Sequence, residues 1–309
     1  MYKLRDWIDI KNLYKDLLME NPNKFMLYDK YPYMIDWKKM SYDEKAIPIL
    51  LANTNKIDWT NLKENMNSAK IYDLFPERID WYWLSDNPSA IHILEKNIDK
   101  LNWRNFSKNN AAMHIIKQYP DRIDWDALCL NTSAIEYLSL HPYRINWRIL
   151  SMNESATPLL EKNIDKINWD NLSANKGAIR ILEQYPQNIN WYFLSSNPNA
   201  MSIIQKYPHR IDWEQLSSNP SAIDLIKTNL RRINWRLLSM NPSAIDLLEQ
   251  HKNHINYTEL SMNPAIFEFD YVRMAHSRME IIEEELISAA LHPIRIEYWL
   301  NNGVSIEDL

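Results

Sequence analysis

Tryptophan recurs every 22 residues through most of this chain, at Trp37, Trp59, Trp81, Trp103, Trp125, Trp147, Trp169, Trp191, Trp213 and Trp235. Tyr257 continues the phase, and no insertion or deletion interrupts it. A fixed period of this length marks a supersecondary unit that cannot bury its apolar face alone, so that neighbouring units must stack to form a continuous core. The chain is therefore read as a solenoid, and the first question is which residues build the stack and which are left over.

Counted from the tryptophan, position −2 is Ile, with Leu101 once, and −1 is always Asp or Asn. Position +3 is Leu except at Met40 and Phe106. Position +4 is usually Ser, and +6 is Asn in ten of eleven copies, with Asp43 the exception. Often Pro follows at +7, then a small residue, then Ile and a Leu or Ile three later. The segment from Ile233 to Glu249 is the clearest copy.

This punctuation predicts two helices per repeat. Asn caps and Pro suits a first helical position, so Asn-Pro-Ser-Ala opens a helix. The apolar residues that follow have helical spacing. Tyr-Pro pairs such as Tyr119-Pro120 and Tyr207-Pro208 end it after about ten residues. Asp or Asn before the tryptophan caps a second, shorter helix whose Trp and Leu share a face. Neither is long enough to stand alone in water. A leucine-rich β-solenoid has a similar period, but its L-x-x-L-x-L frame is absent. Pro48 and Pro158 fall inside the expected longer helix, where proline is costly, and a late helix start would accommodate both.

The expected architecture is thus all-α, an α-solenoid of tandem 22-residue two-helix repeats with a helical C-terminal cap. Residues 1–33 form an N-terminal cap and degenerate repeat, with Lys15 in the tryptophan position. Residues 34–269 carry eleven repeats, and residues 270–309, which break the pattern, form the C-terminal cap. An open stack of this kind is elongated, with apolar ends that need covering.

The phrase Ile-Asp-Trp-x-x-Leu-Ser followed by Asn-Pro-Ser-Ala-Ile resembles the tryptophan-repeat proteins of large double-stranded DNA viruses of protists, over residues 5–267. The tail from Leu291 to Leu309, with His292-Pro293 and Gly303, is similar to endings common in proteins of such viruses. The resemblance implies a viral origin and brings no catalytic residue with it.

Chemistry is scarce. There are two glycines in the chain, Gly177 and Gly303, which excludes glycine-rich phosphate loops. The serine at +4 has no histidine in phase, so no nucleophile is supported. His92 and His114 stack as neighbours but lack further ligands for zinc. No enzyme activity and no cofactor or metal is expected. One cysteine, Cys129, and no apolar leader or membrane-length run fit an intracellular protein, in host cytoplasm or virion, that is not secreted.

Two sets of residues remain as candidate sites. A basic column three before the tryptophan comprises Lys56, Arg78, Lys100, Arg122, Arg144, Lys166, Arg210 and Arg232. It is read as a polyanion-facing line or as cations at helix C-termini, where positive charge is favoured and Asp99, Asp121 and Asp165 lie alongside. The formal charge of −5 makes nucleic acid the less favoured partner. The second set occupies non-repeating positions: Tyr82, Trp83, Arg104, Arg148, Tyr192, Phe193 and Arg236. Variable side chains on an invariant frame fit a protein partner, so the leading expectation is a non-catalytic scaffold for protein–protein interaction.

Overall fold

The computed structural model describes residues 2–18, 20–27, 35–290 and 295–296. It is the expected all-α solenoid, with up to four helical pieces per repeat rather than two. In one copy, Trp191–Ser196 is α-helical and capped by Asn190, whose side chain accepts from Tyr192 N–H. Pro198–Ala200 then forms a 3-10 turn, Met201–Lys206 an α-helix, and Pro208–Arg210 a second 3-10 turn. The expected ten-residue helix is split because Ala200 sits at φ −90°, ψ 10°, at the edge of helical space. We call the two α-segments the Trp helix and the Ile helix. Pro48 and Pro158 fall within the first turn of late-starting Ile helices, Ile47–Ala52 and Thr157–Glu161, where a missing N–H costs nothing.

The core is one line of buried side chains running through every repeat. Leu at +3 and Ala at +9 supply it from both helices, as Leu194 and Ala200 do. Burial alone would let neighbours slide; a polar ladder fixes their register. The +6 asparagine caps the 3-10 turn with its side-chain oxygen and donates its amide N–H groups to the preceding repeat. Asn175 Oδ1 accepts from Gly177 N–H, while Nδ2 donates to Ser151 O (3.0 Å) and Asn153 O (3.1 Å). The same two donations recur from Asn109, Asn131, Asn153, Asn197, Asn219, Asn241 and Asn263. The +4 serine works in the other direction. Ser173 Oγ donates to Trp169 O (2.7 Å) and accepts from Asn190 N–H of the next repeat (3.0 Å).

The stack does not end; it closes. Asn21, at +6 of the degenerate repeat, donates to Ser261 O (3.1 Å) and Asn263 O (2.8 Å) of the last repeat. Tyr14 N–H donates to Ser261 Oγ (2.8 Å), as the −1 residue does wherever the preceding repeat has Ser at +4. Strand β1 (Tyr2–Leu4) pairs antiparallel with β2 (Phe267–Phe269), with Tyr2 opposite Phe269. Arg5 adds Nε to Ala265 O (2.9 Å) and its N–H to Ile266 O (2.9 Å). On its other side the degenerate repeat meets the Trp37 repeat through Lys39, which donates to Asp16 O and pairs with Glu20. Asp43 cannot donate as asparagine does, and the buried Lys24 ammonium pairs with its carboxylate instead.

Twelve units therefore form a closed ring, and the expectation of an elongated rod with two free ends is corrected. The last repeat is covered by the N-terminal segment, and each end serves as the other's cover. Trp helices of successive repeats approach one another more closely than Ile helices do. After β2 the chain continues as a 20-residue helix, Tyr271–Ala290. Among the described residues no helix is long and apolar enough to cross a membrane.

Candidate interaction surface

Position +1 points away from the core in every full repeat. Tyr82, Arg104, Asp126, Arg148, Asp170, Tyr192, Glu214 and Arg236 are all exposed. One helical turn on, at +5, Tyr42, Leu130 and Met152 are exposed as well. Positions i and i+4 share a helix face, so these two columns form one surface on the Trp-helix side of the ring.

Position +2 lies at the seam between repeats and is more buried. Trp83 packs edge-on against Tyr82 (5.4 Å between centroids), and the Lys63 ammonium of the preceding repeat lies 5.4 Å from the Trp83 ring. Phe193 makes the equivalent edge contact with Tyr192 (5.3 Å). Asn105 and Asn171 donate to the backbone oxygens of Tyr82 and Arg148. Arg236 pairs with Glu259 of the next repeat at 2.8 Å. Acidic +1 residues accept from the −1 asparagine that follows them, Asp126 from Asn146 (3.0 Å) and Asp170 from Asn190 (2.7 Å). The surface thus alternates held polar groups with two aromatic pairs, of which Tyr82, Tyr192 and Phe193 are exposed and Trp83 is half-buried, and Lys63 and Glu259 join the residues that the repeat pattern singled out.

Lys56, Arg78, Lys100, Arg122, Arg144, Lys166 and Arg210 each lie in the last turn of a 3-10 helix, as expected of cations at helix C-termini, and the column has a further partner. Seven of the eight cations lie over the indole of the preceding repeat: Arg78 on Trp59, Lys100 on Trp81, Arg122 on Trp103, Arg144 on Trp125, Lys166 on Trp147, Arg210 on Trp191 and Arg232 on Trp213. Separations run from 4.3 Å for Arg232 to 5.9 Å for Arg210. His254 stacks on Trp235 in the same place (4.6 Å, 17° between planes). The neighbouring acids Asp99, Asp121 and Asp165 form no ion pair with this column among the described residues; its one such contact is Arg78 with Glu77 at 4.0 Å. The cations, with Lys56 at the head of the column, remain exposed.

These contacts define the tryptophan column. Each ring is half-buried; an aromatic +16 residue of its own repeat packs on it where present, as Tyr119 on Trp103 or Tyr185 on Trp169, and seven rings carry a cation. An indole so enclosed does not offer a free face for stacking a base or sugar.

On the Ile-helix side, His92 pairs with Asp73 (3.0 Å) and His114 with Glu95 (2.6 Å), each reaching the acid of the preceding repeat. Among the described residues no cluster of three metal-ligating side chains occurs. Cys129 takes the +4 serine position, fully buried. Burial pushes its thiol up to about 11, against the opposing effect of the Asn146 N–H that bonds to it. A thiol so placed is protonated at neutral pH and is not a nucleophile. No family model, curated protein or solved structure matches this chain.

Proposed function

We propose that this ring is a non-catalytic scaffold that holds a protein partner against the surface made by its +1 and +5 columns. One observation carries the reading. Every side chain that repeats is occupied within the frame, by the core, the Asn–Ser ladder or the indole–cation pairs, whereas the exposed +1 column changes chemistry from repeat to repeat. Rigid repeats presenting variable side chains suit recognition of one particular surface. Tyr82–Trp83 and Tyr192–Phe193 are its aromatic anchors, since aromatic residues and arginine carry most interface energy. The resemblance to viral tryptophan-repeat proteins supports a partner inside an infected cell or virion.

The test is affinity capture from such cells with the wild-type ring and with a Tyr82→Ala, Trp83→Ala, Tyr192→Ala, Phe193→Ala variant. The variant should keep its melting curve and lose the captured partner. A partner retained in full by the variant would place binding elsewhere.

The exposed cations give a second reading, binding of a polyanion along the column. It is supported by seven cations in regular succession on one edge of the ring. The indole contacts account for the same column without a ligand, which ranks this reading second.

A further inference from the structure

The ring leaves the described side chains of the helix Tyr271–Ala290 in solvent. Tyr271, Val272 and Met279 are 72%, 75% and 64% exposed, and Met274 and Ile282 stand above a third. These apolar residues are not scattered. Val272, Ala275, Met279 and Ile282 follow the 3-4-3 spacing of a coiled-coil seam, and Leu286 and Ala289 continue it in sequence.

The charges beside the seam are segregated along the helix. His276 and Arg278 lie in the N-terminal half, and Glu283, Glu284 and Glu285 in the C-terminal half. No Lys or Arg stands three or four residues from Glu283, Glu284 or Glu285, so this acidic cluster is uncompensated along its own helix. It is compensated when a second copy lies alongside in the opposite direction. Met279 then faces Ile282 of the other helix. The flanking Arg278 and His276 meet Glu285 and Glu283 of the other chain, twice over by symmetry.

We propose that two copies of this chain associate through an antiparallel pair of Tyr271–Ala290 helices. Antiparallel pairing also suits the shape of the molecule. The helix begins two residues after Phe269, so a parallel pair would force two rings side by side at one end. An antiparallel pair separates them by the helix length, about 30 Å.

The experiment is sedimentation equilibrium on the full chain over micromolar concentrations. Wild type should sediment with twice the chain mass. A Met279→Glu, Ile282→Glu variant should sediment with the chain mass and an unchanged far-ultraviolet signal from the ring. Two charge variants separate this pairing from non-specific apolar contact. An acidic chain (His276→Glu, Arg278→Glu) and a basic chain (Glu283→Lys, Glu285→Lys) should each be monomeric alone and should form a one-to-one dimer when mixed. For direction, a Val272→Cys chain should crosslink to an Ala289→Cys chain and not to itself. A monomeric wild type, a dimer indifferent to the Met279 and Ile282 changes, or crosslinking of Val272→Cys to itself would each overturn the proposal.

Discussion

An asparagine that only capped a turn could be exchanged for serine or aspartate at little cost. Ten of eleven +6 positions nevertheless hold Asn, because the amide also donates to two carbonyls of the preceding repeat. Asn175→Ala should therefore destabilise the fold by about 2–4 kcal/mol, from a lost cap and buried carbonyls left without donors. Exposed Arg148→Ala should change it by less than about 0.5 kcal/mol. Equal urea midpoints for the two would refute this division of labour. Cys129 gives a second prediction at this scale. Its thiol, raised to about 11 by burial from an ordinary value of 9.0, favours the folded state below pH 9. That contribution is lost as pH climbs through 11, so wild-type stability should fall across this interval more steeply than that of Cys129→Ser. In the folded protein at pH 7 a thiol reagent should leave Cys129 unmodified until denaturant is added.

At the level of the helical elements, the repeat frame was legible and its finer division was not. The capping residues, the apolar spacing and the Tyr-Pro stops all mark segments that exist. The split of the longer helix by Ala200 and its equivalents depends on a few degrees of backbone dihedral, which residue type does not encode. The indole–cation pairs lay half in view. Each cation is three before one tryptophan and 19 after another, and the spacing does not say which it touches. The partner is the earlier ring, because the Pro-led 3-10 turn folds back over the repeat it leaves. Replacing Arg78, Lys100, Arg122, Arg144 and Lys166 by Gln should lower stability by about 0.5–1 kcal/mol per lost contact, read from urea unfolding. Wild type should show no measurable affinity for single-stranded nucleic acid at about 150 mM salt, where each phosphate contact would add about −0.7 to the salt slope. Micromolar binding with such a slope would promote the polyanion reading over the protein scaffold.

On the scale of the whole molecule, closure was invisible in the repeat. Whether twelve stacked units make a rod, a spiral or a ring depends on a small rotation at each interface, set by how Trp and Ile helices pack. Nor does Tyr2-Lys3-Leu4 announce a strand, since three residues acquire that role only when Phe267–Phe269 is brought alongside. The signal that was present is the register of Asn21, the one ladder residue of the degenerate repeat, which falls at the +6 position of a twelfth unit. Because Tyr2 lies opposite Phe269, a circular permutant can be drawn: a short turn joins Phe269 to Tyr2, and new ends open at the exposed Pro142-Tyr143 turn. It should keep the helix content of the parent and a compact scattering profile, whereas a rod-like profile would deny the ring. Closure also makes the number of units discrete. Open arrays gain or lose a copy at one end with little disturbance, because each unit touches only its neighbours. Twelve wedges that share a full turn are each cut for about 30°. A duplicated unit would leave thirteen such wedges for one circle, and the seam between Asn21 and Asn263 would spring apart into a lock-washer. A change of one in the copy number thus disrupts this molecule at every interface at once.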